Sequence, residues 1–117
     1  MVVAGYDELR ELAANYVVMV VKAKPTSSIV LATGNTPMGA YAALIECFRA
    51  GEYDPSRLSV FQLDAYVGLT RDDPRSLYGW LERSFLTPMD INLSRVVDLP
   101  GDGADPQALC SAYDQAV

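Results

Sequence analysis

The chain has 117 residues, room for one domain and one apolar core. Half of them are apolar and 21% are charged, the mix of a soluble globular chain. The net charge is −6 and the nine basic residues form no cluster, which argues against nucleic acid or an anionic membrane surface as partner. With no histidine, zinc sites and Ser-His-Asp triads built within the chain are excluded.

From Leu9 the apolar positions Leu9, Leu12, Ala13, Tyr16, Val17, Val20 and Val21 step by three and four, the stripe of a helix face. Asp7 and Glu8 suit its positive end, Lys22 and Lys24 its negative end, and Pro25 stops it. Ser28 to Ala32, with Ile29, Val30 and Leu31, reads as a short strand buried on both faces. After Thr33-Gly34-Asn35-Thr36-Pro37 a second helix runs through Met38, Tyr41, Leu44, Ile45 and Phe48 to Gly51, with Thr36 as its expected N-cap and Pro37 as its first residue.

Leu58 to Leu63 reads as a second strand ending at Asp64. The charge run Arg71-Asp72-Asp73 and Arg75 reads as a solvated loop rather than a lid clamping phosphate. Ser76 to Leu86 is a third helix with Leu77, Trp80, Leu81 and Phe85 on one stripe, and Val96 to Leu99 a third strand. Pro100 to Gly103 is a turn, and Asp105-Pro106 caps a last helix; Asp102 and Asp105 fit a turn and a cap better than a metal site. Cys47 and Cys110 lie in helical segments and read as buried, reduced thiols.

Helix alternating with strand predicts an α/β fold, a three-layer, Rossmann-like, mainly parallel sheet flanked by helices. Three strands are few for such a sheet, and the last helical pattern is still running at Val117. The expectation is therefore that residues 1–117 are the N-terminal portion of a single larger domain. No basic segment followed by an apolar run opens the chain, and no stretch nears the about 20 apolar residues of a membrane span, so the expected location is cytoplasmic.

Two stretches have the makings of a site. In Thr33 to Pro37 a strand meets a glycine turn and a helix begins at once, which aims unpaired amides and a positive dipole end at the loop, a ready anion pocket. Taken locally, it reads first as an ordinary strand-to-helix turn with a threonine cap. Asp64 sits at the carboxyl end of a strand, where open α/β sheets place ligands and where a desolvated carboxylate is a general base. Alone, it reads first as a strand-ending residue that caps the next turn.

In this order and spacing, Thr33-Gly34-Asn35-Thr36-Pro37 followed by Asp64-Ala65-Tyr66-Val67-Gly68-Leu69 resembles the glucosamine-6-phosphate deaminase family. The likeness continues through Asp73 to Tyr78, Ile91-Asn92 and Cys110 to Tyr113. The resemblance implies an aldose–ketose isomerisation with loss of ammonia. Asp64 would be the catalytic group, moving a proton between carbons 2 and 1 of the opened amino sugar. Thr33, Gly34, Asn35 and Thr36 would hold the phosphate, with Tyr66 and Gly68 beside the substrate. The implied partner is a small sugar phosphate, with no cofactor or metal and a homo-oligomer as a compatible assembly.

The related 6-phosphogluconolactonases differ at both segments, which makes a lactonase-like hydrolase the second enzymatic reading. Two departures matter. The family's Asp-Glu pair is Asp64-Ala65, and its Ser-Tyr pair is Ser76-Leu77. The family's later glycine-rich segment, with the histidine that assists ring opening, and its phosphate-closing lysine fall beyond Val117, so the expectation is a catalytically incomplete chain. A non-catalytic sugar-phosphate-binding remnant is the reading from another class.

Overall fold

In the computed structural model, residues 2–101 and 105–117 are described. The turn expected at Asp102 and Gly103 lies outside them. Helix α1 spans Tyr6–Ala23 and begins nearly one turn before the apolar stripe, because the Ala4 N–H donates to Glu8 Oε2 (2.6 Å) and Asp7 and Glu8 occupy its first turn. Its buried face is narrower than the stripe: Ala14 and Val21 are buried, Val17 and Val18 pack against the core, and Tyr16 is 65% exposed. The cause is that α1 packs along α2, leaving Tyr16 and Val20 over a shallow hollow of about 120 Å³ floored by Ile29 and Leu58.

Strands β1 (Ser28–Leu31), β2 (Ser59–Gln62) and β3 (Val96–Val97) form a parallel sheet in the order β1-β2-β3, with Ser28 opposite Ser59 and Val60 opposite Val96. Helices flank it, so the α/β class and parallel sheet are as expected from the alternation. β2 lies centrally, with Val60 and Gln62 fully buried. The expectation that β1 is buried on both faces is corrected: Val30 is 57% exposed while Leu31 is buried, because successive side chains point to opposite faces and the Val30 face is left open among the described residues. Among those residues, no helix is long and apolar enough to cross a membrane.

Helix α2 spans Met38–Arg49 and ends in a reversed turn, Gly51 N–H to Phe48 C=O and Glu52 N–H to Cys47 C=O, each 3.0 Å. Its start departs from expectation: Pro37 takes the N-cap position, and the Thr36 side chain makes no capping bond. The free donor is served from outside. The Gly39 N–H donates to the Tyr6 hydroxyl (2.9 Å), which itself donates to the Thr36 carbonyl (3.0 Å). A Cβ on Gly39 would lie 2.7 Å from that hydroxyl, so the glycine makes the space for it.

Ser76 caps α3 (Leu77–Leu81) by accepting the Gly79 N–H at 2.9 Å. A π-helical turn, Glu82–Leu86, follows, with Thr87 N–H reaching back to Glu82 C=O (2.9 Å). The expected stripe holds at Leu81 and Phe85, but within α3 it is corrected to Tyr78 rather than Leu77. Tyr78, Leu81, Phe85, Leu86 and Met89 are buried, whereas Leu77 and Trp80 are half-buried. Phe85 lies against the Tyr41 ring at 5.1 Å.

Helix α4 (Pro106–Ala116) is capped by Asp105, which accepts the Gln107 N–H at 3.0 Å, as expected of the Asp-Pro pair. The expectation of two buried thiols holds in part. Cys47 is half-buried, its thiol pushed up to about 11 by a hydrogen bond with Glu52 and by burial, and both cysteines are free, but Cys110 is exposed because α4 buries none of its residues.

The segment after β3 supports the loop after β2. Gly68 N–H donates to the Gly101 carbonyl at 2.7 Å, and a Cβ on Gly101 would collide with the Tyr66 carbonyl oxygen. Gly101→Ala is therefore expected to destabilise the chain by about 1–3 kcal/mol, as overpacking does. Faster amide exchange at Gly68 should accompany the lower melting temperature; unchanged protection there would refute the contact. Leu81→Ala removes a fully buried side chain at the start of the π turn and is expected to cost about 2–5 kcal/mol in thermal or urea unfolding. A loss under about 1 kcal/mol would mean that this layer is loosely packed.

Candidate active site

The sheet brings together the ends of β1 and β2, because parallel strands finish on the same side. Leu63 N–H donates to the Leu31 carbonyl at 3.1 Å, so the ladder continues one residue past β2 and delivers both exits side by side. At the first exit the Tyr41 hydroxyl donates to the Ala32 carbonyl at 2.6 Å, tying the start of the loop to α2. Burial pushes that phenol up to about 12, with the Ala32 bond pulling the other way, so it stays a proton donor at neutral pH. Gly34 then turns the chain with φ +106°, a conformation L side chains rarely adopt.

At the second exit the buried Gln62 side chain directs the backbone. Its Nε2 donates to the Asp64 carbonyl (2.7 Å), and its Oε1 accepts the Leu99 N–H (2.9 Å). The Tyr113 hydroxyl of α4 donates to the Gln62 carbonyl.

An open cleft of about 450 Å³ lies over these two exits, in the size range of small-molecule sites. Thr33 and Gly34 line it from the first loop, Asp64 and Tyr66 from the second, Arg75 from the loop before α3, and Trp80 from α3 itself. Two segments singled out in the sequence thus face one space. Not every expected residue does. Asn35, Thr36 and Gly68 are exposed but outside this lining, and the Thr36 carbonyl is engaged by Tyr6. Asp64 is exposed as well, so the described residues do not supply the desolvation that a general base profits from.

The charge run is more structured than a solvated loop. The Arg71 guanidinium stacks 4.0 Å over the Tyr78 ring, bonds its hydroxyl and lies 3.9 Å from Asp98. Arg75 forks onto Asp73, Nε to Oδ1 at 3.0 Å and Nη2 to Oδ2 at 2.8 Å. That contact holds the Asp73 carboxyl down at about 2. The sequence reading missed Tyr6, Gln62 and the cleft-facing side of Arg75. One signal for Gln62 was present, a polar residue within the apolar run Leu58 to Leu63.

Comparison with known proteins agrees with this fold. Residues 4–117 match the family described as glucosamine-6-phosphate isomerases/6-phosphogluconolactonase. A glucosamine-6-phosphate deaminase of Thermoanaerobacter sp. (strain X514) is 33% identical over 117 residues, covering 100% of this chain and 46% of that protein. Glucosamine-6-phosphate deaminase 2 of Mus musculus is 34% identical over 122 residues, with 100% and 44% covered.

Among solved structures, a monomeric glucosamine-6-phosphate deaminase superposes with TM-score 0.95 at 33% identity, covering 100% of this chain and 48% of that one. The 6-phosphogluconolactonase of Trypanosoma brucei, at TM-score 0.66 and 22% identity over 99% of this chain and 46% of its own, shares the fold. The chain thus spans less than half the length of these relatives. By the match over residues 4–117, the chain belongs to the glucosamine-6-phosphate isomerase/6-phosphogluconolactonase family.

Proposed function

We propose that this chain carries the phosphate-binding loop and the proton-transfer carboxylate of an amino-sugar 6-phosphate deaminase. The reaction is glucosamine 6-phosphate plus water giving fructose 6-phosphate plus ammonia. The observation that carries the reading is that Thr33 and Gly34 line one cleft with Asp64 and Tyr66. A phosphate seated on the first loop leaves the sugar chain running toward the second.

In the proposed chemistry, the open-chain aldose loses its C2 proton to Asp64 and passes through an enol. The same carboxylate returns the proton to C1. Carbon 2 is then an imine, which water hydrolyses to the ketone as ammonia leaves. One carboxylate within reach of both carbons suffices for the shuttle, and it works best where water is excluded.

The deaminase reading is favoured over the lactonase one by Thr33 to Pro37 and by Tyr66-Val67-Gly68, the segments where the two branches differ. A second reading, binding of a sugar phosphate without turnover, is favoured by the exposure of Asp64 and by Ala65 standing where the family has a glutamate. Ammonia release from glucosamine 6-phosphate by the purified chain tests whether these residues turn the substrate over by themselves. With no imidazole to open the ring, no turnover is expected. A rate on the order of 1 per second or more would overturn that expectation.

Binding is expected even without turnover, because the loop's donors are local. Phosphate should bind in the millimolar range, about 4 kcal/mol of affinity, with amide shifts from Thr33 to Met38. Thr33→Val removes a hydroxyl at the cleft and should weaken binding by about 1 kcal/mol. Asp64→Asn should leave phosphate affinity unchanged or slightly higher, since that carboxylate serves the sugar carbons. Shifts that spare Gly34 to Met38 would show that the loop is not the phosphate site.

A further inference from the structure

The cleft holds an electrostatic problem that its loops leave open. A phosphorylated sugar brings up to two negative charges into a chain of net charge −6, beside the Asp64 carboxylate. The start of α2 offers less than a bare helix end, because Gly39 N–H is engaged by the Tyr6 hydroxyl and Met38 N–H by the Asn35 carbonyl (3.3 Å). Among the described residues lining the cleft, Arg75 is the one positively charged side chain.

Its geometry suits recognition rather than mere solvation. A guanidinium has five N–H donors in a rigid plane. Two of the nitrogens, Nε and Nη2, are pinned on Asp73, whose side chain is only 20% exposed, whereas that of Arg75 is 75% exposed. Asp73 is fixed in turn by accepting the Arg75 backbone N–H at 2.8 Å. The fork therefore has a set direction, and its remaining donors are free to meet an oxyanion without the entropy cost of ordering a loose side chain.

We propose that Arg75, oriented by Asp73, contacts the anionic group of the substrate and makes this cleft select phosphorylated over neutral sugars. The inference rests on the reading of the cleft as a sugar-phosphate site and adds the residue that supplies the charge. Calorimetric titration of the full chain with glucosamine 6-phosphate, inorganic phosphate and glucose, at low and high salt, tests it in the wild type, Arg75→Gln and Arg75→Lys.

Arg75→Gln is expected to weaken both phosphate ligands about tenfold, the scale of one charge-assisted hydrogen bond, and to flatten the salt dependence. Its melting temperature should barely move. Arg75→Lys should fall between, keeping the charge and losing the fork. Binding by the wild type that Arg75→Gln matches at both salt concentrations would overturn the Arg75 assignment and leave the cleft reading standing. Equal affinity of the wild type for glucose and for glucosamine 6-phosphate would overturn the assignment too. No binding of any phosphate ligand would overturn both.

Discussion

Gln62 is a primary amide at 1% exposure on the central strand, bonded through its oxygen to Leu99 N–H, through its nitrogen to the Asp64 carbonyl, and through its backbone carbonyl to Tyr113. Burying an amide without partners costs about 1–3 kcal/mol for each group left unpaired. The chain therefore satisfies this one side chain best when two segments, the exit of β2 and the run after β3, sit in one arrangement, while α4 is tied to the backbone of the same residue. The direction of the Asp64 backbone follows from it. So does the approach of Gly101 to the Tyr66 carbonyl, because Leu99 is pinned two residues before that glycine. One hydrogen-bonded hub thus links the core of the sheet to the floor of the cleft.

How much of this was legible in the sequence depends on the range of the interaction. The Asp105-Pro106 cap, the Gly51 stop and the alternation of helix and strand are set by residues within a few positions of one another, and they appear as expected. The Thr36 cap did not. The donor it should have served is taken by a tyrosine from another helix, and nothing local announces that partner. The third helix shows the same limit. The expected stripe puts Leu77 and Trp80 inward, but Tyr78, three residues before Leu81, takes the buried position, and where α3 meets the core is set by its tertiary neighbours. For the site, the two segments were legible as motifs, but their meeting in one cleft and the roles of Tyr6 and Gln62 depend on tertiary contact.

Binding and chemistry make different physical demands here. An anion is held by donors that a turn and a side chain supply locally, and it tolerates water nearby. Proton abstraction from carbon gains from a carboxylate shielded from water, and Asp64 stands exposed at the edge of an open cleft. The proposed phosphate contact and the proposed proton transfer separate along that line.

A crystal structure of the chain with glucosamine 6-phosphate bound tests the central claim most directly, because it places both ends of the ligand at once. The account predicts the phosphate within hydrogen-bond distance of Thr33 and the Gly34 backbone, with carbons 1 and 2 of the sugar facing the Asp64 carboxylate. A ligand seated instead in the smaller hollow between Ala65, Leu99 and Leu109, with its phosphate away from the loop after β1, would contradict it.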